Sequence, residues 1–104
     1  MLDPMHPRGT GAASLPTHRQ LRTFLAAVET GGISAAARRL GLTQPAASQQ
    51  VRELERCLGV RLLERVAGRV VPTAAGEAVL APARRVAAAL EDVIAASVAH
   101  RSAE

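Results

Sequence analysis

Hydrophobic positions along this chain recur with two periods, and the change of period divides it. Leu21, Phe24, Leu25 and Val28 follow i, i+3, i+4, i+7 spacing, the stripe of an amphipathic helix. That helix is predicted from about Thr17, an N-cap placed directly after Pro16, to Thr30, where Gly31-Gly32 stops it. A second, shorter helix is predicted over Ser34–Leu40, with Ser34 as N-cap and Ala35-Ala36-Ala37 as strong helix formers. After Gly41, Thr43 caps a third helix whose first residue is Gln44 and whose first turn holds Pro45. Ala47, Val51, Leu54 and Leu58 form its inward stripe, and Gly59 ends it. Residues 60–72 abandon the helical period. Two β-branched runs flank the Gly68 turn and read as a hairpin, with Pro72 at its edge. From Thr73 to about His100 the helical period returns. Val79, Ala83, Val86, Leu90 and Val93 alternate spacings of 4 and 3, and Leu80, Ala87 and Ile94 widen that seam. Pro82 lies inside this helix, removes the bond to Ala78, and should bend it. Residues 1–16 are proline-rich and aperiodic and read as a tail, as do 101–104.

Composition narrows what such elements build. The chain has 104 residues, enough for one domain. Phe24 is its single aromatic residue, against 22 alanines, which suits close-packed helices. All 13 basic residues are arginine, so the positive charges behind the formal +4 stay charged at any working pH. No apolar run reaches membrane-spanning length, and prolines and glycines break the N-terminus where a secretory core would lie. With one cysteine and three scattered histidines, no disulfide or metal spacing arises, and a reducing, cytoplasmic setting is expected. Cys57 reads as a small hydrophobe. No phosphate loop, nucleophile elbow or paired acid and base is present, so neither an enzyme nor a cofactor is expected.

What remains is a binding module. Two helices joined by Gly41-Leu42-Thr43 make a helix-turn-helix, and the hairpin adds a wing. The fold expected is mainly α: a winged helix-turn-helix over 17–72, followed by a long linker helix over 73–100. In such folds the second helix enters the major groove of double-stranded DNA and presents its N-terminal residues to base edges. Gln44 can donate to and accept from adenine, Ser48 and Gln49 can serve several bases, and Arg52 suits guanine or phosphate. Thr43 and the unpaired N–H groups beside it favour a phosphate. Residues 18–72 hold nine arginines against four glutamates, net +5, whereas 73–104 are net −1. The positive excess therefore coincides with the proposed nucleic-acid face. Arg56 and Glu53 read as a surface ion pair of little worth, and Arg84-Arg85 as a solvated face.

The runs Arg19-Gln20-Leu21-Arg22-Thr23-Phe24, Ser34–Leu40, Thr43-Gln44-Pro45-Ala46-Ala47-Ser48, Arg52-Glu53-Leu54-Glu55, Leu58-Gly59-Val60, Leu63-Glu64-Arg65 and Thr73-Ala74-Ala75-Gly76-Glu77 occur in an order and spacing that resembles the N-terminal domain of LysR-type transcriptional regulators. The resemblance covers roughly residues 18–98. It implies that Gln44, Pro45, Ser48 and Gln49 face the major groove, that Ser34 and Thr43 meet phosphates, and that Arg65 and Arg69 of the wing approach the backbone or minor groove. It also implies a pairing linker helix and an interrupted palindromic site. Three features depart from the family pattern. Gln49 stands where many members carry Arg, Ile33 and Leu63 stand where Phe is common, and the chain stops where an effector-binding domain usually follows, so no small-molecule effector site is expected.

An exposed helix carrying Val79, Leu80, Ala83, Val86, Ala87, Leu90, Val93 and Ile94 would be a liability unless a second copy covered it. A two-fold homodimer through 74–98, open to further pairing into tetramers, is therefore expected, with half-sites about 34 Å apart or a multiple of that. Two rival readings carry weight. One is a short interaction protein that forms mixed dimers with longer relatives and inhibits them. The other is the DNA-binding half of a molybdate-responsive regulator, against which the Thr43–Ser48 run argues.

Overall fold

A computed structural model describes residues 15–101. Nearly all of the expected tail at 1–16 lies outside the described residues, as do 102–104. In chain order the elements are α1 (His18–Thr30), α2 (Ile33–Leu40), α3 (Gln44–Leu58), β1 (Leu63–Val66), β2 (Arg69–Pro72) and α4 (Ala74–Arg101). This is a winged helix-turn-helix followed by one long helix.

Local chemistry sets most of the boundaries. Thr17 makes a capping box: its Oγ1 accepts from the Gln20 N–H at 3.1 Å, and Gln20 Oε1 accepts from the Thr17 N–H at 3.0 Å. Thr43 Oγ1 accepts from the Ala46 N–H at 3.2 Å and Thr73 Oγ1 from the Gly76 N–H at 3.0 Å. The second helix departs from expectation. It begins at Ile33, one residue early, with Gly32 as its cap and no side-chain capping bond. Ile33 packs down against the core, and the Thr30 hydroxyl lies 3.0 Å from the Gly32 carbonyl oxygen. Together these fix the helix start upstream of Ser34, which becomes an exposed first-turn residue.

The core gathers on Phe24, Leu54 and Leu62, all with no solvent exposure, with Ala27, Ala36, Val51, Leu63 and Val70 around them. Thr23 is the one buried polar residue among those described. Its hydroxyl donates to Gln50 Oε1 at 2.7 Å, with the Arg19 carbonyl 3.0 Å away as a second acceptor, and this ties α1 to α3. The two wing strands pair antiparallel, Leu63 with Pro72 through Val66 with Arg69. Ala67 and Gly68 both take positive φ at the tip, the geometry that lets a two-residue turn follow the twist of its strands.

The long helix is docked over its first half only. Gly76 is buried so tightly that a Cβ there would collide with the backbone carbonyl of Leu62. Ala83 is 2% exposed within its own chain, and Val79, Leu80 and Ala87 pack on the same core. That corrects part of the expected pairing seam. Ala83 lies inside this protomer, and Val79, Leu80 and Ala87 already lean on it, because the seam's first two turns face α1. The helix continues through Pro82 to Arg101, one residue beyond the expected end. Among the described residues no helix is long and apolar enough to cross a membrane.

Candidate nucleic-acid interface

The third helix buries Ala47, Val51 and Leu54 and turns its opposite side outward. Gln44, Pro45, Gln49 and Arg52 are exposed, and Ser48 is half-buried beside them. These five residues therefore share the accessible face that begins at the helix N-terminus. Three of them also touch one another. Arg52 donates to Ser48 Oγ at 2.9 Å and to Gln49 Oε1 at 3.3 Å, and Gln49 Nε2 donates to Glu53 Oε2 at 2.8 Å. Glu53, read from sequence as a partner for Arg56, instead orients the Gln49 amide. The whole row remains on the surface, where partners exchange readily.

Thr43 and Ser34 flank this face. Thr43 is exposed and its hydroxyl is already the cap acceptor. Ser34 is exposed in the first turn of α2, with its hydroxyl not spent on a cap. On the other side, a groove of about 150 Å³ separates α3 from the wing, lined by Ser48, Arg52, Arg61 and Arg65 and by Glu55 and Glu64. Arg65 is exposed on β1. The two wing arginines differ: Arg69, also exposed, carries its guanidinium beside Gly31 at the end of α1, in the space a Cβ there would need.

Some residues that shape the interface escape the sequence pattern. Glu55 accepts from the N–H groups of Leu62 at 2.8 Å and Leu63 at 3.2 Å, and lies 3.7 Å from Arg61 Nε. It anchors the turn that leads from α3 into the wing. A carboxylate near a helix C-terminus opposes the helix dipole, and that mismatch was the available clue. Thr73 completes the knot, donating from Oγ1 to the Arg61 carbonyl at 2.6 Å while its N–H donates to the Leu62 carbonyl at 2.9 Å. Arg39 and Glu29 bridge α2 to α1 at 2.5 Å. Cys57 sits half-buried on α3, and burial pushes its thiol pKa up, away from the reactive thiolate.

A family model described as "Bacterial regulatory helix-turn-helix protein, lysR family" matches residues 18–77. The chain belongs to the LysR family. Among LysR-family relatives, the transcriptional regulator CbbR of Xanthobacter flavus is 42% identical over 88 residues, covering 85% of this chain and 26% of that protein. The chain thus spans about a quarter of the length of that relative. Two solved complexes with DNA have the same fold. The CbnR DBD–DNA complex is 42% identical with a TM-score of 0.68, over 84% of this chain and 97% of the other. The BenM DBD complex with catB site 1 DNA is 31% identical with a TM-score of 0.76, over 83% and 96%. The LysR-type helix-turn-helix here is therefore a DNA-binding domain, and the regulators that share it are not enzymes.

Proposed function

We propose that this chain binds double-stranded DNA sequence-specifically as a homodimer, in the service of transcription regulation within the cytoplasm. The observation that carries the reading is the exposed polar face of α3. Gln44, Pro45, Ser48, Gln49 and Arg52 would meet base edges in the major groove, Gln44 and Gln49 through amides able to donate and accept together. Thr43 and Ser34 would meet flanking phosphates from two helix N-termini. Arg65 would reach the backbone or minor groove from the wing. Such contacts to phosphate position the protein while the α3 side chains specify sequence.

The dimer rests on the undocked half of α4. Val86, Val93, Ile94 and Val98 are 46%, 63%, 55% and 44% exposed, with Leu90 half-buried among them. A second copy meeting this face two-fold would cover it, and an inverted-repeat site follows from that symmetry. The same apolar face supports the rival reading of mixed dimers with longer relatives, since it carries little charge to choose between partners.

The test is selection of bound sequences from random duplex DNA at two salt concentrations, with sedimentation of the free chain beside it. An inverted repeat enriched at both salts, and a dimer at micromolar protein, are expected. Selection without any enriched sequence removes the base-reading role. A monomer removes the pairing role.

A further inference from the structure

The wing's attachment to the body points to a role for Arg69 other than touching DNA. A two-stranded hairpin is marginal alone, so its direction depends on what ties it down. Val70, buried at 5% exposure, donates its N–H to the Gly31 carbonyl at 2.9 Å. One residue earlier, the Arg69 guanidinium fills the space over the Gly31 Cα. At two other positive-φ glycines, Gly41 and Gly68, nothing lies within 4 Å of a Cβ position. Gly31 alone of these three is occupied by a distant side chain.

Charge gives an independent reason for the contact. Helix C-termini carry partial negative charge and are stabilised by cations. α2 has Arg38 and Arg39 in its last turn, α3 has Arg56, and α4 has Arg101. α1 has none of its own: its last turn carries Glu29, which Arg39 of α2 pairs, and Arg69 of the wing brings a second cation to that end beside Gly31.

We propose that Arg69 is a positioning residue for DNA binding: by capping α1 at Gly31, it fixes the wing relative to α2, which starts two residues later. Arg65 and Ser34 are thereby held at a set separation across the DNA face. Glycine at position 31 serves both the left-handed backbone, φ 81°, and the close approach of the guanidinium. The proposal rests on the DNA-binding reading for its functional half, while its structural half is measurable without DNA.

The test compares Arg69→Met with Arg65→Met and with the double variant. Val70 amide hydrogen exchange is followed in the free protein, and binding to the selected duplex is followed across a salt series. Arg69→Met is expected to speed Val70 exchange and weaken binding about tenfold, the loss of roughly one phosphate contact near physiological salt. Arg65→Met leaves Val70 exchange unchanged and lowers the salt slope by about one. In the double variant the two losses do not add, because Arg69 acts through the wing that Arg65 sits on. Additive losses with a further unit of salt slope, or Val70 exchange at the parent rate in Arg69→Met, overturn the proposal. Arg69→Lys keeps a cation at α1 and restores at least part of the Val70 protection. It reads the same two quantities if Arg69→Met does not fold. Faster Val70 exchange without DNA binding by the parent chain would sink the DNA-binding reading and leave the α1 cap intact.

Discussion

The winged-helix body and the far half of α4 solve opposite problems. In the body nearly every apolar side chain has a partner within the chain: Phe24, Leu54 and Leu62 see no solvent, and even Thr23 is buried with its bonds satisfied. Beyond Ala87 every described residue of α4 except Leu90 is exposed, and three of the large apolar ones are β-branched, Val93, Ile94 and Val98. The charge divides the same way, positive on the body and slightly negative on 73–104. One sequence therefore contains a part that is complete by itself and a part whose apolar face is unmet, and the border falls within a single continuous helix. Stability should respond to changes in the first part and assembly to changes in the second.

Leu54→Ala should sharpen that contrast most. It removes a fully buried side chain and should cost about 2–5 kcal/mol by chemical or thermal denaturation, whereas Ile94→Ala should leave the body's melting nearly unchanged and lower the dimer fraction seen by sedimentation. Equal effects of the two on melting would break the division. Next comes Gly76→Ala. Its new methyl meets the Leu62 backbone, which cannot swing aside like a side chain, so a loss of about 1–3 kcal/mol is expected from denaturation curves. A neutral result would show that α4 lifts off the wing cheaply and that its docked half is not docked firmly. Gln44→Ala should leave folding untouched and cost about 1–3 kcal/mol on the selected site but little on random duplex, measured by titration. Equal loss on both removes the base-reading role. The smallest effect is expected at the wing tip. Ala67 holds φ 53° without being glycine, so Ala67→Gly should stabilise the chain by up to about 1 kcal/mol in a melting experiment.

What was readable in advance follows how local each cause is. The caps at Thr17, Thr43 and Thr73 act within three residues, and all three are found where the sequence places them. Ser34 misled because Gly32 and Ser34 are both acceptable caps, and the choice was made by Ile33 packing inward. Ala83 misled for a related reason. A heptad seam shows that a helix has an apolar side but is silent on what meets it, and here one stripe is docked on the chain's own body at Ala83 and left exposed at Val93, Ile94 and Val98. The residues on the exposed face of α3 were legible because the helix's inward stripe fixes its outward one. The contacts of Glu55 and Arg69 were not, since Glu55 meets the Leu62 N–H and the Arg69 guanidinium lies over Gly31, and these groups become neighbours only after the chain has folded.

The undocked end of α4 has a mechanical consequence. From Ala87 to Arg101 the helix stands free of the body for about 21 Å at 1.5 Å per residue. A rigid rod of that length is a lever: a change of about 5° in its heading at the root sweeps its tip through roughly 2 Å. Were a second copy to grip that tip, the angle at which α4 leaves the core would set the distance between the two α3 helices. The small-residue packing of Gly76 and Ala83 would then act as the ruler for the spacing of the half-sites.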